Sequence, residues 1–150
     1  LNRAYDEALA WVVHQGRFGH LGLERMTDLL ARLGNPEEAF RVVHIGGTNG
    51  KGSTAFFLDR ILRDRGERVG LYTSPHLFDW RERIQVDGRW IEEEAFVRAV
   101  RAIQGALPLD EDQPTAFEAL TAAALIHFRE TGVTTAILEV GLGGRLDATN

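Results

Sequence analysis

The sequence predicts an α/β fold of three layers, with helices on both faces of a mainly parallel sheet and one small β-hairpin inserted into it. Three observations carry this expectation. Val42-Val43-His44-Ile45 is a strand-forming run that breaks at a glycine-rich turn, and a helical pattern starts directly after the turn. Val69-Gly70-Leu71-Tyr72 is a second short apolar run. Strand, helix and strand thus fall within about thirty residues, which defines a βαβ unit with a right-handed crossover. Thr135-Ala136-Ile137-Leu138-Glu139-Val140 is a third such run, and it too ends in glycine-rich sequence.

The chain of 150 residues has the length of one domain. With 44% hydrophobic and 26% charged residues it has apolar surface enough for a core. The net charge of −5 argues against nucleic acid as a partner. The absence of cysteine excludes disulfides and thiolate metal sites. No apolar run is long enough to span a membrane and no signal-peptide pattern opens the chain, so a cytoplasmic protein without a membrane partner is expected. Leu1 is not an initiator, and Asn150 follows a glycine-rich loop with no closing helix. Both ends read as cut, and a fragment of a larger protein is expected.

Tyr5, Leu9, Val12 and Val13 share one face of a first helix; Leu23, Met26, Leu30 and Leu33 share one face of a second, which Gly34 and Pro36 end. His20, in the loop between them, reads by residue type as a solvated histidine. Phe57, Leu58, Ile61 and Leu62 are read as the buried stripe of the third helix, stopped by Gly66. Ile84 to Ile91 is a hairpin, because Asp87-Gly88 between alternating apolar residues is a strong turn signal. Glu92-Glu93-Glu94 opens a helix whose face is Phe96, Val100, Ile103 and Leu107, with acidic residues complementing the helix dipole. Pro114 to Glu118 opens a long helix rich in Ala and Leu, expected to be buried, with Thr115 and Glu118 as a capping box.

The chemistry is concentrated in the turn from Gly46 to Thr54. Backbone N–H groups of such a turn and the positive end of the following helix form a cradle for phosphate oxygens. Glycines let the backbone approach the anion, and Lys51 supplies a mobile point charge. The run departs from the standard P-loop pattern: Gly52 separates Lys51 from Ser53, and Ile45 stands where a glycine is expected. A turn that merely joins strand to helix is the bland alternative. Of the 17 basic residues Lys51 is the only lysine. Guanidinium is a wide planar fork, whereas ammonium is compact enough to sit between phosphates, so the contrast favours function.

Ligands of parallel sheets sit beyond the carboxyl ends of the strands, where the segment after Tyr72 also lies. Ser74 is placed to offer a hydroxyl oxygen to Mg²⁺, although from spacing alone a Ser-Pro turn is the simpler reading. Glu139, near the end of a buried strand, is costly unless paired or metal-bound. It occupies the place of the metal-positioning acid of P-loop enzymes, which favours a metal-related role over a buried Glu–Arg pair. Arg145 and Asp147 either orient an anionic substrate or pair with each other.

Six runs, taken together, carry a resemblance. They are LGLERM (Leu21 to Met26), GTNGKGST (Gly47 to Thr54), TSPHL (Thr73 to Leu77), RERI (Arg81 to Ile84), TAFE (Thr115 to Glu118) and LEVGLGGRLDATN (Leu138 to Asn150). In this order they closely resemble the N-terminal part of the folate-branch Mur-type ligases, folylpolyglutamate synthase and the bifunctional dihydrofolate synthase/folylpolyglutamate synthase. GTNGKGS is typical of the wider superfamily, and its extra Gly52 accounts for the departure noted above. TSPHL and GLGGRLDATN point to the folate branch.

The resemblance implies a P-loop NTPase-like three-layer sandwich, with residues 1–150 forming an incomplete Mur-ligase-type ATP-binding domain and the C-terminal ligase domain absent. It implies ATP and Mg²⁺ as cofactors, folate or dihydropteroate and L-glutamate as small-molecule substrates, and a monomer. Gly47, Thr48, Asn49, Gly50, Lys51, Gly52 and Ser53 are the implied nucleotide site, with Lys51 catalytic. Ser74 and Glu139 are the implied metal ligands. Gly19, His20, Leu21, Thr115, Ala116, Phe117, Glu118, Leu146, Asp147 and Ala148 are the implied substrate-binding residues, with His20 in place of the acidic residue of some relatives.

In the implied reaction a substrate carboxylate attacks the γ-phosphate of ATP, and the glutamate amine then displaces phosphate from the acyl phosphate. A further metal-binding histidine, a carbamylated lysine and the second domain would lie downstream of Asn150, so the chain alone is expected not to turn over. A peptidoglycan-precursor ligase and a non-catalytic nucleotide-binding module are the alternatives.

Overall fold

The computed structural model describes residues 2–16, 22–108 and 113–150. The expected roles of Gly19, His20 and Leu21 lie outside the described residues. Along the chain run α1 (Arg3–His14), α2 (Glu24–Arg32), a 3-10 turn (Pro36–Ala39), β1 (Arg41–Ile45), α3 (Lys51–Asp64) and β2 (Val69–Tyr72). A second 3-10 turn (Trp80–Arg83), β3 (Ile84–Val86), β4 (Arg89–Trp90), α4 (Glu93–Ala106), α5 (Ala116–Glu130) and β5 (Thr135–Glu139) complete it. The sheet order is β1-β5-β2-β3-β4. β5 lies between β1 and β2 and is parallel to both, whereas β3 and β4 join as an antiparallel extension. The register sets Ile45 beside Glu139 and Tyr72 beside Leu138, so the three parallel strands end at one edge.

Alternation along the strands divides the core in two. Val69, Leu71 and Ile137 turn to one face and pack with Ala55, Leu58 and Leu62 of α3. Tyr72, Ala136 and Leu138 turn to the other, where they meet a larger cluster from α1, α4 and α5. A sheet covered on both faces is the three-layer arrangement expected of parallel strands. Gly70 is needed where β2 crosses α5, because a Cβ there would stand 2.8 Å from the Phe128 ring.

The local signals that predicted turns and caps hold. Asp87 and Gly88 both have positive φ (51° and 76°), as a two-residue type I′ hairpin requires. The Asp87 carboxylate also accepts from the Val69 N–H at 2.9 Å. At the start of α5 the Thr115 hydroxyl accepts from the Glu118 N–H (3.2 Å) and the Glu118 carboxylate from the Thr115 N–H (2.7 Å).

Two expected apolar faces need correction. Val13 is 47% exposed, and the buried face of α1 is Tyr5, Ala8 and Val12. On α3, Phe57 and Ile61 are 71% and 52% exposed, and the residues against the sheet are Ala55, Leu58, Asp59 and Leu62. The helix carries apolar residues around more than half its circumference, so periodicity alone does not select the inward arc. The close approach of α3 to the sheet selects small Ala55, and Asp59 is tolerated because Arg63 donates to its Oδ2 at 2.7 and 2.9 Å. Among the described residues, no helix is long and apolar enough to cross a membrane.

Candidate functional site

The glycine turn leaves β1 and enters α3 with no side-chain cap. Gly47 (φ 143°) and Gly50 (φ 77°) adopt backbone conformations that favour glycine, and the second is the N-cap of α3. The first turn of α3 contains no acidic residue, so no carboxylate of the helix itself neutralises its positive end. Lys51 folds back over this turn, its Nζ donating to the Gly47 carbonyl at 2.9 Å. The Thr54 hydroxyl and N–H both donate to the Gly50 carbonyl at 2.9 Å, which fixes the junction from below.

Glu139 ends the central strand β5 and is 5% exposed. Its Oε2 accepts from the Ser74 N–H at 2.8 Å, while its Oε1 faces α3, 3.6 Å from where a Cβ on Gly52 would stand. The carboxylate therefore joins the turn after β2 to the phosphate loop. Among the described residues no arginine or lysine pairs with Glu139, whose carboxylate instead meets the Ser74 N–H. No group of three or more His, Asp or Glu side chains that would hold a metal by itself is found among the described residues. A hydroxyl and a carboxylate beside a phosphate cradle do fit Mg²⁺, which takes few protein oxygens and completes its shell with phosphate and water.

The turn after Ser74 is bound in its own way. His76 accepts at Nδ1 from Arg83 Nε (2.9 Å) and stacks on Trp80 with ring centroids 4.4 Å apart. Burial first, and then the Arg83 charge, push the His76 pKa down.

The loop after β5 is organised by Asp147. Its Oδ2 accepts from the N–H groups of Gly141 (3.0 Å) and Leu142 (2.8 Å), and its Oδ1 from the N–H and hydroxyl of Thr149. Since that hydroxyl donates to Asp147, His44 Nε2, 2.7 Å from the same oxygen, is the donor in their contact. Asp147 thus pairs with its own loop and not with Arg145.

This loop meets the start of α5. A Cβ on Gly141 would stand 2.7 Å from the Phe117 ring and 3.2 Å from Asp147 Oδ2, so a larger residue would push the two segments apart. Phe117 also lies 5.9 Å, centroid to centroid, from Tyr72. Leu146 is 48% exposed at the rim. The segments Thr115 to Glu118 and Leu146 to Ala148 are therefore neighbours. Glu118 is itself occupied: Arg25 donates to its two oxygens at 2.9 and 3.2 Å. Sequence reading gave Arg25 no role, although it lies in the LGLERM run, because its partner Glu118 is 93 residues away in the chain.

Fold, glycine loop and helix N-terminus together have the form of an α/β domain with a glycine-rich strand-to-helix loop at the carboxyl ends of its parallel strands. No family model matches the chain. It is similar to the dihydrofolate synthase/folylpolyglutamate synthase of Bacillus subtilis (strain 168), at 43% identity over 153 residues, 98% of this chain and 36% of that protein. The folylpolyglutamate synthase structure from Thermotoga maritima superposes with a TM-score of 0.92 at 46% identity, covering 97% of this chain and 35% of that one. An FPGS–AMPPCP–folate complex gives a TM-score of 0.92 at 39% identity, covering 97% of this chain and 37% of that one. The chain thus belongs with the folylpolyglutamate/dihydrofolate synthases and corresponds to the N-terminal part of those longer proteins. It spans little more than a third of the length of these three.

Proposed function

We propose that this chain is the nucleotide-binding part of a longer ATP-dependent ligase that adds L-glutamate to the carboxylate of a folate or a dihydropteroate. The observation that carries the reading is the meeting of Glu139, the Ser74 turn and the phosphate loop at one edge of the sheet. The names of the relatives favour folate chemistry over a peptidoglycan precursor.

In this reading the first amides of α3 and Lys51 hold the terminal phosphates of ATP, and Lys51 exchanges its bond to the Gly47 carbonyl for a phosphate oxygen. Ser74 and Glu139 would hold Mg²⁺, which, when bound, neutralises charge on the phosphates. Phe117, with Leu146 and Ala148, offers an apolar wall to the ring system of the substrate. The substrate carboxylate attacks the γ-phosphorus and ADP leaves; the glutamate amine then attacks the acyl phosphate, forming the amide and releasing inorganic phosphate. Phosphoryl transfer of this kind needs positioning and charge compensation more than a protein nucleophile.

The test is the full-length protein supplied with ATP, Mg²⁺, L-glutamate and either dihydropteroate or tetrahydrofolate, with products followed by mass. The expected result is a product heavier by one glutamyl residue, formed together with ADP. No glutamate-dependent ADP release with either acceptor would sink the reading. For the 150-residue chain alone no turnover is expected, and Lys51, its only lysine, reports nucleotide binding directly. Its reaction with an amine reagent should be suppressed by ATP with Mg²⁺.

A further inference from the structure

The turn that carries Ser74 is tied down by a carboxylate with no role in the reading above. Glu82, in the 3-10 turn Trp80–Arg83, accepts at Oε2 from the Leu77 N–H and at Oε1 from the Phe78 and Asp79 N–H groups, each at 2.8 Å. Only the Asp79 bond belongs to the capping box of that 3-10 turn. The other two reach back toward Ser74. Apolar packing does not supply the anchor, because the Leu77 and Phe78 side chains are 81% and 92% exposed. Residues 76–79 are held by Glu82 on the backbone, by Arg83 and the Trp80 ring on His76, and by Arg81 and Tyr5 on the Asp79 carboxylate; for Leu77 and Phe78 the bonds to Glu82 are the anchor. The N–H of Ser74, at the head of the same turn, is the group that meets Glu139.

We propose that Glu82 is a positioning residue for the divalent-cation site, setting through three backbone bonds where the Ser74 turn stands over the phosphate loop. The inference rests on the reading of Ser74 and Glu139 as that site. Both oxygens of Glu82 are used, so its chemistry is specific. A glutamine has one acceptor oxygen and must turn its NH₂ against either the Leu77 N–H or the Phe78 and Asp79 pair. An aspartate keeps both oxygens and loses the reach. The N–H of Leu77 first, and that of Asp79 next, hold the Glu82 carboxyl below the usual range, so the three bonds are made to the ionised form.

The experiment uses the full-length protein and its E82Q variant. Mn²⁺ binding in the presence of a non-hydrolysable ATP analogue is followed by electron paramagnetic resonance, and amide hydrogen exchange is followed over residues 75–79. The expected result is exchange at Leu77, Phe78 and Asp79 faster by about tenfold and Mn²⁺ binding weaker by about tenfold, the usual loss when the support of a metal ligand is removed. The Mg²⁺ concentration for half-maximal activity should rise by a similar factor, with the KM for glutamate unchanged. Faster exchange with unaltered Mn²⁺ binding would make Glu82 a loop staple only and overturn this inference alone. If S74A and E139Q bind Mn²⁺ with nucleotide as the wild type does, the site reading falls and takes this inference with it. Should E82Q not fold, E82D is measured instead, with the same supporting and opposing results.

Discussion

At the scale of single residues, the site separates side chains that the fold uses from side chains it leaves for a ligand. On the proposed reading Lys51 is of the second kind: the side-chain hydrogen bond it makes among the described residues is to the Gly47 carbonyl, within the glycine loop itself. Lys51→Ala should therefore leave thermal unfolding of the protein nearly unchanged while kcat/KM for ATP falls on the order of 10²- to 10³-fold, the range for loss of one charge-stabilising donor. Lys51→Arg restores the charge but not the compact ammonium, and is expected to recover only part of the loss. Glu118 is of the first kind. It is 6% exposed, receives both bonds of Arg25 and closes the capping box of α5. Glu118→Ala should cost about 3 kcal/mol in urea unfolding, because it removes one partner of a largely buried ion pair along with the cap. Glu118→Gln should cost less, since the amide oxygen still accepts from the Thr115 N–H.

At the scale of elements, what was legible in the sequence is what neighbouring residues decide among themselves. The Asp87-Gly88 hairpin, the Thr115–Glu118 cap and the three parallel strands carry signals within a few residues, and each appears where its signal lies. The rotation of α3 has no such signal. Phe57 and Ile61 are as apolar as Leu58 and Leu62, and only the shapes of β2 and β5 decide which pair goes inward. Asp147 is an intermediate case. Its bonds to Thr149 form a short Asp-x-Thr pattern that sequence can suggest, whereas its bonds to Gly141 and Leu142 depend on how the whole loop closes. The first turn of α3 gives the sharpest test at this scale. Gly52 lies in a helix, where alanine is favoured by roughly 0.5–1 kcal/mol, and a Cβ would meet Glu139 Oε1 at 3.6 Å, an ordinary contact. Gly52→Ala should thus raise the unfolding free energy slightly. On the proposed reading the same methyl would cover the side of Glu139 that faces the glycine loop, so affinity for Mn²⁺ with nucleotide should fall by about tenfold in the titration used for Glu82.

At the scale of the whole molecule, the helical layer that supports the site also contains a group that makes its stability depend on pH. His127 lies on α5, 9% exposed, and its Nδ1 has no hydrogen-bond partner among the described residues. Burial first, and then the charges of Arg98 and Arg68, push its pKa from 6.5 down to about 4. The folded value is the lower one, so above pH 6.5 the ring is neutral in both states and adds no slope. Between pH 6.5 and 4 the unfolded chain takes up a proton that the fold refuses, and stability falls as the pH falls. The loss between pH 6.5 and 5 should be on the order of 1–2 kcal/mol, somewhat less than the full shift would give because the ring keeps some contact with solvent. The acidic groups with lowered values act elsewhere. Glu67, Asp79 and Glu82 begin to lose their contributions only as the pH drops through their ordinary values of 4.5, 3.8 and 4.5. Urea unfolding followed by tryptophan fluorescence at pH 7, 6 and 5 separates the histidines from the carboxylates; His76, whose pKa is also lowered, adds to the slope with the same sign, and His127→Leu should reduce the slope in that window without abolishing it. An equal slope in the variant would assign the effect to other groups and leave α5 without a role in acid sensitivity.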